Sequence, residues 1–311
     1  MTSSRRPGLA ALLSFIAPGL GHLYAGRPRA GLAFAVAVQG GAWLARTLWI
    51  LLPPGWFTVL LGFHVVLGVL FVNVLHAGVV AHRAGPTYEL RPYNRWYSYL
   101  AAFLALVLCQ QASCSLAKSK VAQAFQIPSP AMEPTMLVGD FLWVAKFPTS
   151  VAIPQQSAIV VFVSVEDSTP TLHIVKRVIG MPGDTLRMVR DTVYRNGRRL
   201  DEPYVTPSSG GVADPPEYLR RIRRRIRAWQ LDHYIGADPQ SYQPTTHDWG
   251  PIVVPPGHFF AIGDNRDRSY DSRYYGFVPF ANVRGRPRLV YFSLDPETDS
   301  VRWRRVGRAI K

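Results

Sequence analysis

Apolar positions fall in two different patterns along the chain. Up to about residue 117 they come in long runs, Gly31 to Leu52, Phe57 to Ala81 and Tyr97 to Ala117, and a helix of about 20 apolar residues crosses a bilayer. A fourth run, Leu9 to Ala25, is short and contains Pro18, Gly19, Gly21 and His22, which suits a re-entrant or interfacial segment as well as a span. From Lys118 onward the runs shorten, alternate and are punctuated by turn residues, as half-buried strands are. They are Phe141 to Ala145, Ala158 to Val163, His173 to Ile179, Asp184 to Arg190, Thr192 to Arg195, Ile252 to Val254, Phe259 to Ile262 and Arg288 to Phe292. Asn196 and Gly197, between strand-like flanks in Val193 to Leu200, predict a two-residue hairpin turn. The pattern predicts an α-helical membrane region, 1–117, followed by a mainly β domain, 118–311, with a polar insertion at 205–250. Within that insertion Leu219 to Trp229 predicts a short basic helix on an outward excursion.

Charge sharpens the division. Residues 1–117 hold one acid, Glu89, and eight arginines, and the remainder holds the other 19 acids and 27 bases, so both parts contribute to the net charge of +15. Such a balance favours anionic neighbours. With long apolar runs in the chain, the expected partner is anionic membrane lipid and not nucleic acid. Arg5, Arg6, Arg27 and Arg29 precede the first secure run, Arg83, Arg91 and Arg95 lie between the second and third, and Leu52 to Trp56 has none. The positive-inside rule then puts those loops in the cytoplasm, and three spans carry the chain after Ala117 to the outer face. His64, Asn73 and His76 interrupt the second run and read as polar glue between helices. Cys109 and Cys114 both lie in an apolar run, so no disulfide framework is expected in the β domain.

Three stretches of the β domain concentrate Gly, Pro and charged residues at strand ends: IPSPAMEPTMLVGD (Ile127 to Asp140), HIVKRVIGMPGD (His173 to Asp184) and AIGDNRDRSYDSRYYGFVP (Ala261 to Pro279). Singly, each is turn chemistry. Together and in this order they resemble the type I signal peptidase family, whose corresponding stretches read like PSGSMEPTLLVGD, KRVIGLPGD and GDNRDNSxDSRxxG. The resemblance implies a mainly β catalytic domain of signal-peptidase type, held at the outer face of a bacterial inner membrane by a multi-pass anchor. It also implies a serine/lysine endopeptidase that removes signal peptides from exported precursor proteins. Carried over residue by residue, Lys176 matches the general base, Ser129 an oxyanion-binding hydroxyl, Ser269 the serine that orients the lysine, and Asp264, Asp271 and Arg273 the supporting charges. A lysine serves as a base only when uncharged, so burial must pull its pKa down. Phe125, Ile127, Met132, Leu142 and Val144 flank the first stretch and are candidate walls of substrate pockets. No metal cluster or cofactor motif is present in the sequence, and none is implied; oligomeric state is not legible.

One position departs from the family. Ala131 stands immediately before Met132, where the family has its nucleophilic serine, and losing that serine costs on the order of a million-fold in turnover. Three readings of the alanine are open: a deliberate trap, a natural non-cleaving relative that binds signal peptides or partner proteins, or attack by another residue such as Ser129.

Overall fold

The computed structural model describes residues 2–52, 55–84, 88–146, 154–205 and 216–310. Two compact units form, Met1–Gln123 and Ala124–Lys311.

The first unit is helical. It comprises α1 (Pro7–Ile16), α2 (Leu20–Tyr24), α3 (Pro28–Leu51), α4 (Trp56–Arg83) and α5 (Trp96–Lys120), with short strands β1 (Thr2–Ser3) and β2 (Tyr88–Glu89) pairing antiparallel. Among the described residues, Phe57–Arg83 and Trp96–Leu116 are long and apolar enough to cross a membrane. The run Leu9 to Ala25 is broken between α1 and α2, where Pro18 has no N–H to give and Gly19 takes a left-handed φ of +89°. Such a break strands backbone polar groups in an apolar setting. Asn73 of α4 meets two of them: its Oδ1 accepts from Gly19 N–H at 3.1 Å and its Nδ2 donates to the Ser14 carbonyl at 2.9 Å. His76, one turn further, lies 2.9 Å from His22 of α2. Asn73 and His76 are thus joints between helices, whereas His64 differs from that expectation: it is exposed and its ring meets the Leu60 carbonyl of its own helix at 2.7 Å.

The second unit is built on two sheets. After β3 (Ala122–Gln126) come β4 (Asp140–Ala145), β5 (Ile159–Val163), β6 (His173–Gly180), β7 (Thr185–Val189), β8 (Thr192–Arg195), β9 (Arg198–Arg199), β10 (Trp249–Val253), β11 (His258–Ile262), β12 (Val278–Pro279) and β13 (Val283–Ser293). Helix α6 (Pro216–Leu231) precedes β10, and a single helical turn, α7 (Ser272–Tyr275), precedes β12. One sheet has the order β12-β11-β6-β5-β13-β4-β3 and the other β10-β7-β8-β9. Register shifts between Pro287 and Leu289 and between Val290 and Phe292 interrupt the long strand β13 where it pairs with β4, and irregularities of this kind bend a sheet. Asn196 and Gly197 turn β8 into β9 with φ of 52° and 77°, the left-handed pair that a tight hairpin turn requires.

Helix α6 differs from the outward excursion expected. Its apolar residues pack onto the domain: Ile226 is fully buried, and the Trp229 ring meets Phe260 and Phe277 at centroid distances of 6.2 and 5.4 Å. Arg227 is held by the carbonyls of Tyr242 and Pro239 at 2.8 and 3.0 Å. Arg220, Arg223 and Arg224 keep exposed positions.

Candidate active site

The stretch Ile127 to Asp140 leaves β3 and returns into β4, and its ends are tied backbone to backbone: Ile127 N–H donates to Asp140 O at 2.8 Å and Gly139 N–H to Ile127 O at 3.0 Å. The buried Asp140 carboxylate braces the loop from below. It accepts from Leu137 N–H (2.9 Å), Ser293 Oγ (2.7 Å) and Arg305 Nε and Nη2 (2.8 and 2.5 Å), and Arg305 also reaches the Thr135 carbonyl at 3.1 Å. In the loop, Pro130–Met132 form a 3-10 turn. Ala131 is 7% exposed, whereas Ser129, just before the turn, is exposed and caps none of its N–H groups.

The third stretch folds around Asp271. This fully buried carboxylate pairs with Arg273 Nε at 2.9 Å and accepts from Ser269 Oγ at 2.6 Å and Gly263 N–H at 3.0 Å. Arg273 in turn donates to the carbonyls of Arg266 and Ser269 at 2.7 and 3.2 Å. Burial raises the Asp271 pKa, but the Arg273 charge and its hydrogen bonds outweigh that and hold it below the ordinary carboxylate value. Because the Ser269 proton points at Asp271, the serine oxygen has lone pairs left to accept from an amine. This turn seats residue 131: Asn265 N–H donates to the Ala131 carbonyl at 3.2 Å. A Cβ on Gly263 would lie 2.4 Å from that carbonyl oxygen and 2.2 Å from Ser269 Oγ, so only glycine lets the two stretches approach this closely.

Lys176 comes from β6, opposite Val160 of β5, and is 4% exposed. Burial pulls its pKa down from 10.5 to about 8, with the Arg273 charge adding to the fall and Asp271 and Asp264 opposing it. The next residue, Arg177, fastens the strand to the other two stretches. It grips Asp264 through Nε and Nη2 at 2.8 and 2.7 Å, and Asp264 also accepts from Thr135 Oγ1 at 2.5 Å. Residues 135, 177 and 264, one from each stretch, thus meet in one cluster.

The flanking apolar residues fall differently from the pocket walls expected. Ile127, Met132, Leu142 and Val144 belong to a buried core cluster with Met136, Ile159, Val161 and Val290. In β4 the period of two turns Leu142 and Val144 inward, and neither side chain has exposed surface. Phe125, on β3, keeps partial exposure and packs against that cluster. Residues that the sequence did not single out are those acting across long separations: Arg305 on Asp140, Thr135 on Asp264, and Glu202 on Arg266 (2.5 Å).

Chemically, the site joins a buried lysine whose pKa burial lowers to about 8, a serine whose hydroxyl donates to Asp271, and a backbone turn at residue 131 with an exposed hydroxyl two residues earlier. Such parts serve acyl transfer once a nucleophile is present. A family model described as signal peptidase, peptidase S26, matches residues 95–292. The chain is 32% identical over 216 residues to signal peptidase I of Pseudomonas aeruginosa, covering 61% of this chain and 72% of that one. It is 33% identical over 192 residues to a probable signal peptidase I-2 of Synechocystis, covering 58% and 72%. A crystal structure of a signal peptidase I from Enterococcus faecalis aligns at 29% identity and a TM-score of 0.27, over 44% of this chain and 97% of that one. The order of the three stretches, the match to the family model and the likeness in sequence to the Pseudomonas and Synechocystis proteins together make the chain a member of the signal peptidase I family.

Proposed function

We propose that this chain acts at the membrane on the signal peptides of exported precursor proteins, with Lys176 as general base and residue 131 at the nucleophile's position. Ser129 and the N–H of residue 131 face the developing oxyanion, Ser269 orients the lysine, and Asp264, Asp271 and Arg273 fix the frame. The observation that carries this reading is Lys176. Its side chain is buried on β6, it has no ion pair among the described residues, and that burial lowers its pKa to about 8. A protein gains no stability from burying an unpaired ammonium, whereas a general base needs its pKa near the working pH. The scissile bond of a precursor lies just beyond an apolar segment, so the reading sets Ala124–Lys311 on the outer face, the side to which the arginine distribution of the spans leads.

Because alanine removes the attacking oxygen and leaves the recognition surface in place, the chain as it stands is expected to bind a signal peptide without consuming it. A fluorescent peptide carrying a small-x-small site should raise anisotropy with the full-length chain in detergent. The signal should fall at least about tenfold in affinity when both small residues become bulky, since a close-fitting pocket rejects overpacking by a few kcal/mol. Equal binding of the two peptides would contradict the recognition proposed.

A further inference from the structure

The segment between β9 and residue 205 belongs to none of the three motif stretches, yet it ends against two of them. Glu202 Oε1 accepts from Arg266 Nη2 at 2.5 Å and from the Tyr204 hydroxyl at 3.1 Å. Arg266 is 3% exposed, and Glu202 is its acidic partner among the described residues. The Arg177 guanidinium sits over the Tyr204 ring, 3.8 Å from its centroid. One carboxylate and one ring therefore join two arginines that come from different stretches.

Each of those arginines serves the site. Arg266 Nε donates to the Gly263 carbonyl at 3.2 Å, and its own carbonyl accepts from Arg273 at 2.7 Å, so it holds both the turn that seats residue 131 and the ion pair behind Ser269. Arg177 follows Lys176 on β6 and grips Asp264. We propose that Glu202 and Tyr204 are positioning residues, a clamp that fixes the Gly263–Asp264 turn against the strand carrying Lys176; the catalytic part of this inference rests on the function proposed above.

Without Glu202, Arg266 is a buried cation lacking a counter-charge, which the interior does not tolerate. It then swings away from the Gly263 carbonyl or draws in water. Water is at hand, because Tyr204, Arg177, Thr135 and Ser157 line an open cavity of about 980 Å³. Either response loosens Gly263 where contact with Ala131 and Ser269 leaves no slack. A misplacement of about 1 Å at a reacting centre costs on the order of 100-fold.

The test uses the full-length chain in detergent in two backgrounds. In the parent chain, the Lys176 titration followed by NMR of isotope-labelled lysine is expected to move up by about one pH unit or more in Glu202→Gln, because water reaches the amine. It should move less in Glu202→Asp, which keeps the charge. In an Ala131→Ser background, Glu202→Gln is expected to lower kcat about 100-fold while KM stays within about twofold, the mark of lost positioning as opposed to lost binding. A folded Glu202→Gln chain whose Lys176 titrates unchanged overturns the clamp. If Glu202→Gln does not fold, Tyr204→Phe, which keeps the ring and loses the hydroxyl, carries the same titration with a smaller upward shift expected and no shift overturning the proposal. If Ala131→Ser cuts nothing, the catalytic reading fails and the lysine titration still decides the clamp.

Discussion

Replacing Ala131 with serine is expected to raise precursor cleavage on the order of a million-fold, the usual cost of a missing nucleophile read in reverse. The gain should be this large because so much else is in place. The turn at residue 131 is anchored by Asn265 and pressed on Gly263, Asp140 and Arg305 brace its loop, and Lys176 is enclosed on β6. A serine differs from the alanine there by one oxygen, so the backbone has little to adjust. Cleavage should follow the second of two small residues in a small-x-small site and should vanish in Ala131→Ser/Lys176→Ala, measured by gel shift of a precursor and mass spectrometry of the product. Cleavage of equal rate by the parent chain would mean that another group attacks. Ser129 is poorly placed for that role, since it is exposed and precedes the turn that seats residue 131.

Arg273→Met is expected to be the most destabilising single change in the β domain. It leaves Asp271 without its partner at a site where neither side chain has exposed surface, and breaking a buried pair from one side costs ~3–5 kcal/mol. That is a large share of a typical domain stability of about 5–15 kcal/mol, and the melting transition should fall by roughly 10 °C or more. Removing both charges with Asp271→Leu/Arg273→Met should recover much of the stability, since an apolar replacement of a buried pair is often near neutral. It should not recover activity in the Ala131→Ser background, because Ser269 and the Gly263 N–H both lose the carboxylate that orients them. A double variant as unstable as the single would show that packing volume, and not charge, holds this turn together.

How much of this was legible in the chain depends on the range of the interaction. The strands of the β domain, the hairpin at Asn196–Gly197 and the residues matching the motif are local signals: alternation, turn chemistry and short runs in a fixed order. The break between α1 and α2 was marked by Pro18 and Gly19, and Asn73 and His76 were readable as helix glue, although their partners Gly19, Ser14 and His22 were not. Pairs such as Asp140 with Arg305 or Glu202 with Arg266 leave no local trace, because each residue alone is an ordinary charged position near a turn. Helix α6 hides its packing from the sequence in the same way. Its six arginines dominate the sequence and suggest a solvated arm, but Ile226 and Trp229 anchor it to the core. Leu142 and Val144 neighbour the loop in sequence, which suggests pocket walls; the pleat of β4 sends them into the core instead.

The measurement closest to the central claim is the pH dependence of kcat/KM for precursor cleavage by the Ala131→Ser chain, because that quantity reports the free enzyme's essential base. The neutral form of Lys176 is the active one, and burial depresses its pKa to about 8. Activity should therefore climb about tenfold per pH unit on the acid side, bend near 8, and level above it, far below the inflection near 10.5 that an ordinary exposed lysine would give. A profile flat from pH 6 to 10, or one that persists in Lys176→Ala, would contradict a serine/lysine mechanism centred on residues 131 and 176.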